Sequence, residues 1–267
     1  MAGLPRTRFL LFLLFWSLLA VPAGGDELSS WFVADPRAHS YTGVQSELRG
    51  LIEAARLQEV PIGPLIDKLR EGASKGVDAG RLIAALRETI ERMVQARAIL
   101  EQPFGTTAGS EENVQAFSIL LQRGLPEGLA RELIAYGRQA GRRMQAIRTA
   151  CEAVTSLLAV RALEDEDALK VGELLLASKL PVSAYRSLAS VYLKAKASGL
   201  DDSEVLNDVI IGTLESGGGI VSMDEKINKG QATKEAEKQP GGSAKAGDSQ
   251  AGPPAEPPGQ SKDHKKD

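Results

Sequence analysis

The side chains that most often carry chemistry are few and scattered in this chain of 267 residues. Its two histidines, His39 and His264, stand near opposite ends, and its single thiol is Cys151. A Ser-His-Asp or Cys-His relay needs a base within hydrogen-bond reach of its nucleophile, and a histidine-based metal site needs several imidazoles together. Neither is expected from so sparse a set. No intramolecular disulfide can form with one cysteine, and Cys151 reads as a small buried apolar residue rather than a nucleophile. The phosphate loop and His-Glu-x-x-His are missing, and Asp224-Glu225 near Gly230 lacks the alternating oxygen ligands of a calcium loop. Carboxylates remain. An exported glycan-cleaving enzyme can be helical and work with a lone acid, for which Glu132 and Glu173 are nominal candidates. Each is read more simply as part of a solvated helix face. The chain is expected to be non-catalytic and to need no cofactor.

Charge is the one uneven feature. Between Arg123 and Arg161 seven arginines face three acids, Glu127, Glu132 and Glu152. Arg131, Arg138 and Arg142 recur at helical spacing, and Arg143 and Arg148 widen the stripe. From Glu164 to Asp208 the balance reverses to nine acids against five bases. Two readings follow. Each set is a solvated polar face, or the basic face docks on an acidic surface: the following unit of the same or another copy, a protein, or an anionic envelope component. Such charges set specificity and on-rate more than affinity. The formal net charge of −3 gives no global field for nucleic acid.

The elements that must carry these groups read as helices. Aromatics are scarce at 4%, and Ala, Leu, Arg and Glu dominate, which favours helices over strands. Residues 1–25 have a short basic region, Arg6 and Arg8, then the apolar run Phe9–Val21 and the small-residue site Val21-Pro22-Ala23. A largely apolar run of thirteen residues is shorter than the roughly twenty a bilayer span needs. An export signal is therefore expected, cleaved after Ala23 or alternatively after Gly25, which places the chain in a periplasm or outside the cell. No transmembrane segment is expected after cleavage. Residues 26–43 read as an irregular lead-in, with Trp31 and Phe32 packed onto the body.

Apolar residues then fall three and four apart across residues 44–216. Val60-Pro61, Leu125-Pro126 and Leu180-Pro181 break this pattern, and Gly76-Val77-Asp78 matches Gly199-Leu200-Asp201. The possible units are 44–100, 113–163 and 164–214, and the second reads as one long helix kinked near Gly141. Asp78 and Ser110 or Thr107 are candidate N-caps, and Asp201 to Glu204 has capping-box spacing. The predicted fold is all-α, with about seven or eight amphipathic helices in a bundle or loose helical-repeat array. Residues 217–267 read as a disordered, low-complexity tail with eight lysines against eight acids. Together these features predict an exported helical protein that binds a protein or envelope component, with self-association possible. An envelope enzyme using a lone carboxylate and a structural spacer are the alternatives.

Overall fold

The computed structural model describes residues 27–101, 109–160 and 163–238, with side chains through residue 234. Among these residues every element is helical and no strand occurs. Helix α1 spans Glu27–Ala34 and leads into a 3-10 segment, Pro36–Val44. Three groups of helices follow. The first holds α2 (Gln45–Leu57), α3 (Gly63–Ser74) and α4 (Ala79–Glu101); the second holds α5 (Glu111–Gln122), α6 (Glu127–Gln139) and α7 (Met144–Val160). The third begins with α8 (Asp165–Ala177). A one-turn α9 (Val182–Tyr185) then leads to α10 (Leu188–Ala197), and a π-helical segment, Glu204–Ile211, runs into α11 (Gly212–Glu215). A last helix, α12, spans Ile220–Lys238.

Helical segments outnumber the seven or eight expected, for three reasons. The lead-in is not irregular: Leu28, Trp31 and Phe32 stand three and four apart on α1, and all are buried. Asp35 opens the 3-10 segment by accepting from the Arg37 N–H at 3.0 Å, with Pro36 where no N–H is required. The expected tail also begins too early. Met223 and Ile227, one helical turn apart, are fully buried and make α12 part of the body. Lastly, α6 and α7 are two helices rather than one kinked helix, because Gly141 has φ +68°. A left-handed residue cannot continue the i→i+4 ladder.

That left-handed joint recurs. Glu59, Gly76, Gly124, Gly141, Gly199 and Gly217 all have positive φ. After each, the next N–H reaches back to the carbonyl of the helix's last full turn: Val60 to Ala55, Val77 to Gly72, Leu125 to Leu120, Arg142 to Gly137, Leu200 to Ala195 and Gly218 to Thr213. These are Schellman caps, which satisfy orphan carbonyls and bury the following apolar residue; Val60, Leu125 and Leu200 are all buried. At the other ends, Asp78 accepts from the Arg81 N–H at 3.0 Å and Ser110 from Asn113 at 3.4 Å. Asp201 and Glu204 cap each other's N–H at 2.7 and 2.8 Å, a complete capping box before the π-helical segment.

The third helix of each group holds the stack together. Helix α4 lies against α2 and α3 of its own group and against α5 and α6 of the next. Helix α7 does the same with α5 and α6, then α8, α9 and α10, and the π segment packs on α8, α10 and α12. No substantial contact joins α2–α4 to α8–α12 among the described residues. Consecutive groups therefore share one apolar core from Leu28 to Ile227, built neighbour on neighbour. Small residues permit close approach between the second and third groups, where a Cβ on Gly172 would stand 2.4 Å from a Leu133 methyl, and within the second, where one on Gly137 would meet Ile147 at 2.5 Å.

Residues 1–26, which include the expected export signal and its two cleavage points, lie outside the described residues, as do Thr107 and residues 239–267. No helix among the described residues is long and apolar enough to cross a membrane.

Candidate interaction surface

The five arginines of the predicted basic face do not share one solvated stripe. Arg131, on α6, pairs with Glu127 one turn earlier at 2.6 Å. Arg138 is half-buried near the end of α6, and Arg143 is exposed just before α7. Arg148, on α7, reaches Glu112 of α5 at 2.6 Å and stands 3.8 Å from Glu152, which pairs with Arg186 at 3.1 Å. That chain of charges ties α5 and α7 to the turn after α9. Its Glu152–Arg186 pair has the acid on the second group and the base on the third, the reverse of a basic-on-acidic match.

Arg142 has a different task. Helix α8 ends without a left-handed residue, since Ser178 is extended at φ −64° and ψ 161°. The carbonyls left at that terminus are capped from the neighbouring group: Arg142 Nε donates to the Leu176 carbonyl, and Nη2 donates to the Ser178 carbonyl at 2.7 Å. A guanidinium at a helix C-terminus also complements the negative end of the macrodipole. Arg142 thus joins the second and third groups and is a structural cap.

Three further cations, which sequence reasoning did not single out, also donate to a backbone carbonyl of another element. Arg97, on α4, donates to both the carbonyl and the carboxylate of Glu59, the one non-glycine residue in a left-handed joint among the described residues. It also pairs with Glu101 at 2.6 Å. Lys226, on α12, donates to the Asp208 carbonyl at 2.6 Å, and Lys234 donates to the Gly199 carbonyl at 2.9 Å and to Glu204 at 2.6 Å. One signal was available for the lysines. Met223, Ile227, Gly230 and Lys234 follow the four-three-four spacing of a single helix face.

Other chemistry is poorly placed. Gly72-Ala73-Ser74-Lys75-Gly76 has the Gly-x-Ser-x-Gly order of a nucleophile elbow. That motif works on a sharp strand-to-helix turn, whereas Ser74 is the exposed last residue of α3 and its hydroxyl donates to the Glu71 carbonyl at 2.7 Å. Cys151 is buried on α7, and burial pushes its thiol up to about 12, so it stays protonated at neutral pH. Glu132 is exposed and Glu173 half-buried, on separate helices. Two carboxylates, the exposed Glu71 and the half-buried Glu204, are held below the usual range by lysine hydrogen bonds: Glu71 by Lys75, and Glu204 by Lys234 with help from the Asp201 N–H. Both serve helix surfaces and ends.

Several open hollows border the first group, two of them notable. One, of about 550 Å³, lies beside the α2–α3 joint and is lined by Glu27, Arg56, Glu59, Arg97 and Val114 among others. The other, of about 460 Å³, runs between α2 and α4 over Leu51, Ala54, Ile90 and Val94, with Arg87 and Glu91 at its rim. No protein-family model, no curated protein and no solved structure matches the chain.

Proposed function

We propose that this chain is an exported, non-catalytic helical protein that binds a protein or an anionic envelope component. The observation that carries this reading is the neighbour-on-neighbour packing of the three helix groups. Such stacks work through the extended surfaces and inter-helix grooves they present. Here cations hold backbone carbonyls of other elements: Arg97 within the first group, Arg142 between the second group and the third, and Lys226 and Lys234 between the last helix and the third group. Export rests on the basic and apolar order of residues 1–25 and the small residues ending at Ala23.

The test is a cross-linked capture of the tagged full chain, expressed in its own envelope, compared with an Arg138→Glu/Arg143→Glu double variant. Arg142 is left intact because its loss would perturb the fold. One partner recovered in stoichiometric amount, together with a mature N-terminus at Gly24, is the expected result. Loss of that partner in the double variant would place its surface at the α6–α7 joint. Turnover of a cell-wall substrate, abolished by a single carboxylate substitution, would overturn the reading.

A further inference from the structure

Helix α12 differs from the other long helices in how it is held. Helix α7 has 17 residues and buries nine of them. Helix α12 has 19, and among its described side chains, those of residues 220–234, the buried ones are Met223 and Ile227. Gly230 adds a close approach, since a Cβ there would stand 2.7 Å from a Leu200 methyl. Ile220 packs half-buried against the core, and the polar attachments lie near water: Lys226 on the Asp208 carbonyl, Lys234 on the Gly199 carbonyl and Glu204, and Asp224 with Lys194 of α10 at 2.7 Å. A run of three glycines, Gly217-Gly218-Gly219, connects it to α11. Few buried contacts and exposed polar attachments mark the segments of a fold that open first.

The surface beneath α12 is a groove between α10 and the π segment, with carbonyl and carboxylate acceptors along one side. It corresponds to the place where α5 packs on α4 and α8 packs on α7. A stack built this way ends in an apolar face that something must cover. We propose that α12 is a built-in, displaceable occupant of this groove, and that the groove's external ligand is a lysine-bearing amphipathic helix of a partner protein. The chemistry of recognition is read from α12 itself. The ligand helix carries apolar side chains at i and i+4 for the Met223 and Ile227 positions, lysines at i+3 and i+11, and a small residue at i+7. Helix-in-groove recognition of this kind uses an apolar face for affinity and flanking charges for orientation. The proposal rests on the reading of the chain as a binding protein and names one of its surfaces.

The experiment uses the full chain and a fluorescent synthetic peptide of residues 218–238. In a full-length Met223→Asp/Ile227→Asp variant the chain's own helix loses its anchors and vacates the groove. The peptide should bind that variant at least about tenfold more tightly than wild type, the factor by which cis occupancy suppresses binding in trans. A peptide carrying Lys226→Glu and Lys234→Glu should bind at least about tenfold more weakly. Equal binding to wild type and variant, or indifference to the lysine reversals, would overturn the groove assignment even if the capture experiment still yields a partner. Native-state hydrogen exchange of the wild-type chain gives an independent reading, because α12 amides should exchange about a hundredfold faster than those of α7. Equal protection in both helices would show that α12 opens only with the whole fold and would sink the proposal. A concentration-dependent wild-type dimer with α12 crossing between copies would assign the groove to a second copy and overturn the partner-helix claim.

Discussion

Arg142 separates a structural reading of the arginine cluster from a surface reading, and its removal has a calculable effect. Arg142→Ala deletes two charge-assisted hydrogen bonds, to the Leu176 and Ser178 carbonyls. Buried bonds of this type contribute about 1.5–3 kcal/mol each. Arg142 is half-buried, so water recovers part of each bond, and about 1 kcal/mol per bond is the reasonable share. The expected loss is roughly 2 kcal/mol, or about 4–8 °C in Tm for a body of this size. Arg143→Ala, one residue on but exposed, should stay within about 0.5 kcal/mol of wild type. Arg142→Lys should recover only part of the loss, because one ammonium does not reproduce a planar fork aimed at two carbonyls. Urea unfolding followed by circular dichroism, with exchange rates read at the end of α8, would decide the matter. If Arg142→Ala and Arg143→Ala cost the same, the inter-group cap has no energetic meaning and the basic face regains its claim as a solvated surface.

Three further outcomes follow from the packing. Gly50 sits mid-helix on α2 with open space where a Cβ would project, whereas a Cβ on Gly172 would meet Leu133 at 2.4 Å. Gly50→Ala should therefore raise stability by about 0.5–1 kcal/mol and Gly172→Ala lower it by about 1–3 kcal/mol, as urea midpoints would show. Glu59→Gly relieves a left-handed φ of 54° while keeping the Arg97 bond to the backbone carbonyl, so a gain of about 0.5–1 kcal/mol is expected. A loss above about 1 kcal/mol would mean that the exposed Glu59–Arg97 ion pair outweighs backbone strain. The Cys151 thiol titrates near 9.0 when exposed and near about 12 when folded. The unfolded chain therefore binds fewer protons across that window, and stability falls as pH rises through it by up to about 1.4 kcal/mol per pH unit. Cys151→Ala should flatten this slope relative to wild type, and an unchanged slope would contradict full burial of the thiol.

The helices and their ends were legible in the sequence where the cause is local. Asp78, Ser110 and the Asp201–Glu204 pair act within one turn of their own helix, and each caps as its spacing predicts. Periodicity was weaker where two causes competed. The apolar stripe from Leu129 to Val160 continues in phase across Gly141, yet a left-handed Gly141 splits it into two helices. A polar composition hid α12, because the two residues buried among its described side chains hardly change an average, although their spacing is helical. The π-helical segment left no trace in spacing, since its i→i+5 bonds are set by packing against α10 and α12 rather than by side-chain order.

The arginines escape a reading by charge pattern for a reason that applies beyond Arg142. Pairing rules let a sequence suggest where one side chain meets another, as Arg131 and Glu127 do four residues apart. A backbone carbonyl, however, is offered by every residue, so a cation that caps a helix terminus 34 residues away has no complementary residue type to announce it. What marks the site is a deficiency at the acceptor. Helix α8 ends at Ser178 without the left-handed glycine that ends α3, α5, α6, α10 and α11. Glu59 has the left-handed backbone but not the glycine, and there too an arginine arrives, from α4. Imperfect helix ends are thus completed by cations from a neighbouring element: Arg97 does so within the first group, and Arg142 couples the second group to the third. Lys234 of α12 also reaches a backbone carbonyl, that of Gly199, although α10 already ends in a left-handed glycine. A partner helix that replaced α12 would have to supply that cation, which is why the lysine pattern, more than the apolar anchors, would define what this surface accepts.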